Sequence, residues 1–298
     1  MTDDPRGGVE TELARAKVNL FLHVRGRMPD GYHVLESFAV FPEVGDFLEA
    51  EPAPGISLSL SGPFAAGLGS GGDNLAVSAA RALSDRTSGG PGAALRLAKN
   101  LPLAAGIGGG SADAGAVLRA LARLWPEAPG GALADIAFAL GADAPVCLAS
   151  RPAMMGGVGE KLDPAPTFPG FWMVLVNPGQ PLSTAEAFAG LERRDNPPGA
   201  PPPRNFTDFS HLVSWLTLQR NDLEPPARRL RPVIGKVLSA LGWDGDCALA
   251  RMSGSGATCF GLFKTEASAL SSAERLRRAE SGWWVTAAPV AAWGGGDG

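Results

Sequence analysis

A glycine-rich run at residues 106–110 is the stretch of this sequence whose residue types and spacing best suit chemistry. Four of its five residues are glycine, Ser111 follows, and an alanine-rich apolar segment comes directly after. Glycine allows positive φ and close approach of a ligand to the backbone. When such a run opens a helix, unpaired N–H groups and the positive end of the helix dipole face one point, which suits a phosphate. We therefore predict an anion-binding loop with Ser111 as the helix N-cap. The alternative is a closely packed helix start without a ligand.

Two common phosphate-binding motifs do not describe this run. A Walker A loop places Lys and then Ser or Thr after its last glycine, but no lysine occurs between Lys99 and Lys161. A Rossmann fingerprint would need glycine where Ser111 stands. A formal match to that fingerprint occurs at residues 67–72, but Asp73 would put a negative charge beside any pyrophosphate. We interpret this second run as a surface loop.

Two charged residues outside the run have types that suit phosphoryl chemistry. Residues 13–24 alternate between apolar and polar, which predicts a half-buried strand that presents Lys17 and Asn19 side by side. Asp143 follows a helix predicted over residues 131–140. An aspartate can accept a hydroxyl proton, and an ammonium can stabilise the emerging alkoxide. From the residues alone, a solvated strand lysine and a turn aspartate are equally good interpretations.

Tyr32 and His33 form a pair whose types suit a nucleobase. Tyr32 is the only tyrosine of the chain, and it follows the turn signal Asp30-Gly31 directly. An aromatic ring offers a stacking face, and an imidazole offers a donor and an acceptor to a base edge. The alternative for Tyr32 is a rim aromatic that covers a sheet.

The composition narrows the class of protein. The 298 residues can form one large domain or two ordinary ones, and 45% hydrophobic with 19% charged residues is typical of a soluble globular protein. A net charge of −4 argues against a general nucleic-acid binder. The three cysteines have no Cys-x-x-Cys spacing, which indicates thiols in a reducing compartment and no zinc site. No signal peptide and no membrane span are evident. We expect a cytoplasmic protein without a nucleic-acid or membrane partner.

Strands and helices alternate irregularly along the chain, which favours an α+β fold over a doubly wound sheet. The predicted strands after residue 24 are 34–40, 47–50, 56–60, 93–98, 146–148, 171–176, 258–263 and 283–289. The predicted helices are 74–83, 112–125, 131–140, 232–241 and 267–278. The proline-rich residues 193–204 read as an exposed loop.

The strand with Lys17 and Asn19, the glycine-rich run and a second glycine loop at residues 253–257 occur in this order along the chain. This combination resembles the three motifs of the GHMP small-molecule kinases, and the resemblance covers nearly the whole chain. The further matching segments are Asp30-Gly31-Tyr32-His33, Asp73-Asn74-Leu75, Leu140-Gly-Ala-Asp143-Ala-Pro145 and Asn221-Asp222-Leu223-Glu224.

The resemblance implies the two-domain α+β fold of that family. Residues 1–151 would form a ribosomal protein S5 domain 2-like N-terminal domain that binds ATP. Residues 152–298 would form a ferredoxin-like C-terminal domain. Whether the last strand packs on the second domain or returns to the first is left open.

The resemblance also implies ATP-dependent phosphorylation of an alcohol, with Mg²⁺, Asp143 as the base and Lys17 stabilising the transition state. The ATP-binding residues that it implies are Asn74, Lys99, Pro102, Ala105, Gly106, Ile107, Gly108, Gly109, Gly110, Ser111 and Ala112. Ser253, Gly254, Ser255 and Gly256 would support the phosphate site. Asn74 serves equally well as a helix cap, and Lys99 as a surface charge. Ser111 is a candidate Mg²⁺ ligand, although the sequence leaves the metal ligands undetermined.

The Asp-Gly-Tyr-His and Leu-Gly-Ala-Asp-x-Pro segments narrow the resemblance to family members that act on a cytidyl diphosphate small molecule. The implied reaction phosphorylates the 2-hydroxyl of 4-diphosphocytidyl-2-C-methyl-D-erythritol, on the non-mevalonate route to isopentenyl diphosphate. Tyr32 and His33 would hold the cytosine and Phe188 would close the sandwich, with Asn19 and Thr184 also at the substrate. Around Thr184 and Phe188 the chain departs from the family's usual proline and serine pattern.

Three alternatives stay open. The first keeps the fold and changes the substrate to that of a homoserine or mevalonate kinase. The second is a diphosphomevalonate decarboxylase. The third is a non-catalytic nucleotide sensor, which would not need both Lys17 and Asp143. A monomer and a homodimer are both compatible with the sequence.

Overall fold

The structure, a computed structural model, describes residues 8–29 and 31–295, so Asp30 of the predicted turn lies outside the described residues. The chain forms two compact units. The first contains the described residues up to Ala16, Val44–Leu101 and Gly108–Ser150. The second contains Lys17–Glu43, Pro102–Ile107 and the described residues from Arg151 onward. The glycine-rich run therefore passes from the second unit to the first between Ile107 and Gly108.

The first unit is built on a four-stranded sheet. Its strands are β1 (Glu10–Arg15), β4 (Gly45–Ala53), β5 (Ser57–Ser61) and β6 (Gly92–Ala98). They lie in the order β1-β4-β6-β5, antiparallel except for the parallel pair β5 and β6. Its helices are α1 (Leu75–Ser84), α2 (Gly109–Leu124), α3 (Ala132–Leu140) and α4 (Ala144–Ala149). Helix α2 packs on the sheet and on α1 and α4.

Gly115 allows α2 and α4 to approach each other closely. A Cβ at Gly115 would lie 2.7 Å from the carbonyl carbon of Cys147. Arg119, one turn further along α2, donates to the carbonyls of Cys147 and Leu148 at 2.8 and 3.0 Å. These contacts fix the short helix that Asp143 precedes.

The second unit contains two antiparallel four-stranded sheets. The order in the first is β2-β3-β7-β8 and in the second β10-β11-β9-β12. Their strands are β2 (Val18–Arg27), β3 (His33–Val40), β7 (Ala153–Gly156), β8 (Lys161–Pro164), β9 (Phe171–Asn177), β10 (Leu249–Met252), β11 (Cys259–Phe263) and β12 (Trp284–Val290). The helices are α5 (Thr184–Ala189), α6 (Phe209–Thr217), α7 (Glu224–Leu230), α8 (Val233–Gly242) and α9 (Glu266–Ala279). The last strand, β12, pairs with β9 inside this unit.

One apolar core joins β2 to the second sheet and its helices. Leu22 and Val24 of β2 are buried in the same cluster as Val174, Ile234 and Leu276. Strand β2 therefore has a fixed position relative to β9, α8 and α9. Among the described residues, no helix is long and apolar enough to cross a membrane.

The structure corrects four sequence expectations. The strand predicted over residues 13–24 is interrupted at Ala16 and Lys17, which separates β1 from β2. Every residue from Val18 to Val24 is buried, so the alternation there does not mark a solvent face. The predicted strand at 146–148 is wrong: these residues lie in α4, which Pro145 at its first turn favours. Short elements such as β7, β8, β10 and α5–α7 were not predicted.

The fourth correction concerns the start of α2. Ser111 is not the N-cap, because Gly108 takes that position with φ +66 and the helix begins at Gly109. The prolines and turn residues at 193–204 form neither helix nor strand, which confirms the predicted loop.

Candidate active site

The two glycine loops lie against each other within the second unit. Ser253 Oγ donates to the carbonyl of Gly106 at 3.0 Å, and the N–H of Thr258 donates to the carbonyl of Ala105 at 3.1 Å. A Cβ at Gly106 would lie 2.6 Å from the backbone nitrogen and oxygen of Gly256. Both this contact and its φ of +71 require glycine at position 106.

Lys17, directly before β2, and Asn19, within β2, contact the same two glycine loops. The N–H of Lys17 donates to the carbonyl of Ile107 at 2.9 Å, and the N–H of Asn19 donates to Ser253 Oγ at 3.1 Å. Lys17 is only 4% exposed and Asn19 only 2%, so the half-buried polar face expected for this strand is wrong. The structure thus brings Lys17, Asn19, Gly106 and Ser253 together in one unit.

The side-chain amide of Asn19 uses its nitrogen in a hydrogen bond and leaves its oxygen available. Its Nδ2 donates to Ser37 Oγ at 2.7 Å, and Ser37 in turn donates to the carbonyl of Phe21. Among the described residues, Asn19 Oδ1 is buried and has no hydrogen-bond partner. A buried amide oxygen without a donor is costly, so this atom can accept a hydrogen bond from a bound molecule.

The N-terminus of α2, in the first unit, presents unpaired N–H groups. The first intrahelical bond runs from the N–H of Ala112 to the carbonyl of Gly108 at 2.8 Å. The N–H groups of Gly109, Gly110 and Ser111 therefore have no carbonyl one turn back. A helix of 16 residues adds its dipole at this end. This geometry suits the phosphates of a nucleotide.

Lys99 is not a surface charge, because it is 2% exposed and its ammonium contacts the carboxylates of Asp46 and Asp113. Asp46 Oδ1 also accepts the N–H groups of Asn100 and Leu101 at 2.5 and 2.8 Å. Lys99 directly follows β6, and Asp46 is the second residue of β4. Asp113 lies on the second turn of α2. This network ties the segment before the glycine-rich run to the helix after it.

This network shifts the pKa values of Lys99 and Asp113. Burial alone would lower the pKa of Lys99, but Asp113 and then Asp46 outweigh burial and raise it. Burial raises the pKa of Asp113, and the charge of Lys99 opposes this rise. Asp113 Oδ1 is buried without a hydrogen-bond partner among the described residues. Sequence reasoning missed Asp46 and Asp113, although an acid inside an apolar helix such as α2 is a usable signal.

Asn74 and Asp143 each precede a helix of the first unit. Asn74 is the N-cap of α1: its Oδ1 accepts the N–H of Ala76 at 3.0 Å, and its Nδ2 donates to the carbonyl of Gly69 at 2.9 Å. The cap interpretation is confirmed, and contact of Asn74 with ATP stays a prediction. Asp143 is half-buried and precedes α4 without a side-chain capping bond.

An aromatic group in the second unit collects the residues expected at the substrate base. His33, at the start of β3, stacks on Phe188 of α5, with ring centroids 4.6 Å apart and planes at 21°. Tyr32 is 63% exposed beside it. Thr184, four residues before Phe188 on the same helix, has its Oγ1 3.1 Å from Ser255 Oγ. Helix α5 therefore contacts both the aromatic group and the second glycine loop.

His33 has the character of a neutral recognition group. Burial, followed by the charges of Arg194 and Arg27, lowers its pKa from 6.5. The ring is therefore neutral at pH 7 and carries one donor and one acceptor nitrogen. Its Nε2 is buried and has no hydrogen-bond partner within the described part of the chain.

No group of three or more His, Cys, Asp or Glu side chains that could hold a metal ion occurs among the described residues.

Among the residues predicted to bind ATP, four apolar ones are buried: Pro102, Ala105, Ile107 and Ala112. Ser111 is half-buried. The predicted ATP-binding set is thus a mixture of backbone groups and packed apolar residues.

Comparison with known proteins matches two parts of the chain to one family. The GHMP kinases N terminal domain matches residues 74–151, and the GHMP kinases C terminal domain matches residues 202–281. A 4-diphosphocytidyl-2-C-methyl-D-erythritol kinase of Cereibacter sphaeroides is 52% identical over 279 residues, which is 93% of this chain and 97% of that protein. One of Paramagnetospirillum magneticum is 50% identical over 281 residues, 93% of this chain and 97% of that protein.

Solved structures agree with these relatives. A crystal structure of 4-(cytidine 5'-diphospho)-2C-methyl-D-erythritol kinase superposes with a TM-score of 0.76 at 34% identity, covering 97% of this chain and 100% of the other. A homoserine kinase from Cytophaga hutchinsonii superposes with a TM-score of 0.67 at 15% identity, covering 99% of both chains, and shows the fold alone.

The chain belongs to the GHMP kinase family, and within it to the group whose members are named 4-diphosphocytidyl-2-C-methyl-D-erythritol kinase. It is accordingly an enzyme, an ATP-dependent small-molecule kinase. The two-domain GHMP kinase fold with mixed α and β content is confirmed. The division at residue 151 and the roles of the individual site residues stay predictions.

Proposed function

We propose that the chain transfers the γ-phosphoryl group of ATP to the 2-hydroxyl of 4-diphosphocytidyl-2-C-methyl-D-erythritol, on the way to isopentenyl diphosphate. The names of relatives that are about half identical over nearly their whole length support this substrate. The observation that carries the proposal is the stack of His33 on Phe188 beside the exposed Tyr32. Such a group suits a pyrimidine base, which homoserine and mevalonate lack.

The cytosine end is held by stacking and by one neutral imidazole. Tyr32 and Phe188 supply aromatic faces, and His33 Nε2 supplies a buried polar atom for the base edge. Thr184 and Asn19 Oδ1 are the further polar groups that we assign to the substrate. Because the imidazole is neutral at pH 7, it can match either a donor or an acceptor of the base without burying a charge.

The triphosphate end is held by backbone groups. The N–H groups of Gly109, Gly110 and Ser111 lie at the start of α2, and the second glycine loop supports the glycine-rich run through the bond of Ser253 to Gly106. Mg²⁺, when bound with the nucleotide, neutralises phosphate charge and usually keeps several waters. We propose the Ser111 hydroxyl as its protein ligand, since it lies on the first turn of that helix. We also assign Asn74 and Lys99 to the ATP-binding side of the site. Asn74 shapes the start of α1, and Lys99 holds Asp113 of α2 in place.

The chemistry is divided between two side chains. Asp143, which is half-buried directly before α4, takes the proton of the attacking 2-hydroxyl, because a carboxylate placed at the hydroxyl can act as a general base. The Lys17 ammonium stabilises the developing alkoxide and the charge on the transferring phosphoryl group. Lys17 is 4% exposed, and a charge out of water stabilises a transition state more strongly than an exposed one.

We place this reaction in the cytoplasm, where a small-molecule kinase meets ATP, with the chain as a monomer or homodimer and no nucleic-acid partner. Cys247 and Cys259 are free thiols, as expected in a reducing compartment.

The test is a substrate panel with purified protein, ATP and Mg²⁺. We expect ADP release with the cytidyl substrate, and a new phosphomonoester on the 2-hydroxyl by phosphorus NMR. ADP release only with homoserine or mevalonate would show that the chain is a GHMP kinase with a different substrate. ATP binding without ADP release on any substrate would instead support the nucleotide sensor.

A further inference from the structure

The Asn221-Asp222-Leu223-Glu224 segment lies between strand β2 and the second glycine loop. We propose that Asn221 is a positioning residue for the Ser253–Gly256 loop, and that Asp222 holds it in register with the strand that carries Asn19. The inference rests on the proposed kinase reaction for its effect on rate, and on geometry alone for its effect on the loop.

The side chain of Asn221 is completely used by the backbone on both sides of Ser253. It is 5% exposed, and its Nδ2 donates to the carbonyls of Met252 and Gly254, both at 2.8 Å. Its Oδ1 accepts the N–H of Leu223 at 2.9 Å. A carboxamide is the neutral side chain that offers two donors and an acceptor at this reach. One residue therefore clamps the peptide groups that flank Ser253.

The neighbouring residues anchor this clamp at both ends. Asp222 Oδ2 accepts the N–H of Val24 at 2.7 Å, and the N–H of Asp222 donates to the carbonyl of Leu22 at 2.8 Å. Glu224 Oε2 accepts the N–H of Met252 at 3.1 Å. The segment thus bonds to the middle of β2 on one side and to the end of β10 on the other.

Ser253, which Asn221 holds in place, connects Asn19 to the glycine-rich run. Ser253 Oγ accepts the N–H of Asn19 and donates to the carbonyl of Gly106. The loop around it contains Gly254 at φ +53 and Gly256 at φ +87, so its own backbone has little intrinsic preference for one shape. The two carbonyl contacts of Asn221 supply that preference. A shift of Ser253 would therefore displace both Asn19 and the glycine-rich run, which are bonded to its hydroxyl.

The test compares Asn221→Ala with Gln219→Ala. Gln219 is also 5% exposed and lies two residues before Asn221, but its side chain donates to the carbonyls of Ala200 and Trp215 and not to the loop. The two variants therefore remove similarly buried amides. Because misplacement by about 1 Å can cost about 100-fold in rate, we expect Asn221→Ala to lower kcat by between about tenfold and 100-fold. Gln219→Ala should stay within about twofold of the wild type.

Amide hydrogen exchange gives a second readout that does not depend on the substrate. Asn221→Ala should raise the exchange rates of the Ser253, Gly256 and Thr258 amides by at least about tenfold, relative to Gln219→Ala. Asn221→Asp keeps the acceptor but turns a carboxylate oxygen toward two carbonyls, so it should act in the same direction.

Equal loop exchange and equal kcat in Asn221→Ala and Gln219→Ala would overturn the inference. So would failure of both Asn221 variants to fold when Gln219→Ala folds, because Asn221 would then be a folding residue. If the wild type phosphorylates no substrate but the loop exchange differs as expected, the proposed function fails and the positioning role stands.

Discussion

A Cβ placed on Gly106 would lie 2.6 Å from the backbone nitrogen of Gly256, so the two glycine loops pack backbone against backbone with no room for a side chain at Gly106. Such a distance cannot be relieved by a side-chain rotation, because both partners are backbone. Gly106 also has a φ of +71, which costs a residue with a Cβ about 1–2 kcal/mol. The first glycine of the run is thus required by packing within the second unit.

Gly109 has no such constraint, which makes it a matched control for Gly106. Its added Cβ would meet Leu101 Cβ at 4.0 Å, an ordinary contact, and it lies in the first turn of α2. We expect Gly106→Ala to lower the free energy of unfolding by more than about 2 kcal/mol, and Gly109→Ala to change it by less than about 1 kcal/mol. Gly109→Ala should still raise the KM for ATP, because its Cβ would stand beside the N–H groups that we assign to the phosphates. Urea titrations and steady-state kinetics separate these effects, and an unchanged KM for ATP in Gly109→Ala would argue against the phosphate role.

The aromatic group should carry substrate affinity. Stacking of a base on an aromatic side chain contributes about 1–3 kcal/mol. We therefore expect Tyr32→Ala and Phe188→Ala each to raise the KM for the cytidyl substrate by about fivefold to 100-fold, with the KM for ATP within about twofold of the wild type. Trp243→Ala removes an aromatic that is 86% exposed and is the control. An unchanged substrate KM in Tyr32→Ala would show that no base stacks there.

The Lys99 network should contribute strongly to stability. Removing one partner of a buried ion pair costs about 3–5 kcal/mol, because it leaves an uncompensated charge. We expect this loss in the unfolding free energy of Lys99→Met, which leaves Asp46 and Asp113 facing each other. Adding Asp113→Asn should recover part of it. Arg96→Met breaks an exposed ion pair with Glu51 and should cost less than about 1 kcal/mol. Equal losses for Lys99→Met and Arg96→Met in chemical denaturation would contradict the buried network.

His23 should make the fold sensitive to acid. Burial, followed by the charges of Arg220, Arg251 and Arg25, lowers its pKa from 6.5 to about 4. The folded state therefore prefers the neutral ring, and the stability that this preference provides is complete above pH 6.5 and is lost as the pH falls toward 4. The shift corresponds to about 3 kcal/mol.

The measurement is the free energy of unfolding of the wild type and of His23→Gln between pH 7 and pH 4. We expect the wild type to lose up to about 3 kcal/mol more than the variant over this range. His211→Gln changes an exposed histidine and should follow the wild type. Parallel curves for the wild type and His23→Gln would refute the assignment.

The sequence predicted those elements whose periodicity is strong and local. The helix predicted over 267–278 is found as α9, and the strand over 93–98 as β6, each within one or two residues. Their amphipathic pattern is complete within a single window, so no distant contact is needed to recognise them. Short elements without a full period, such as the four-residue strands β7 and β8, give no such signal.

The candidate site could be predicted where a motif is local and not where it is assembled across the chain. The glycine-rich run and the Tyr32-His33 pair stand out as residue types in sequence. The burial of Lys17 depends on the packing around β2, and the partners of Lys99 come from positions 46 and 113. The N-cap of α2 was misassigned because the positive φ of Gly108 is a backbone property that side-chain preferences do not show.

The central claim is that this kinase phosphorylates an alcohol with Asp143 as its base, and turnover by Asp143→Asn with the cytidyl substrate tests it most directly. The amide keeps the shape of the side chain but accepts no proton, so kcat should fall by about 10²–10⁴-fold. The dissociation constant for ATP should stay within about twofold of the wild type, because the N–H groups at the start of α2 are unchanged. Turnover close to that of the wild type would remove Asp143 from the role of base. Absence of ADP release by the wild type itself would contradict the kinase account.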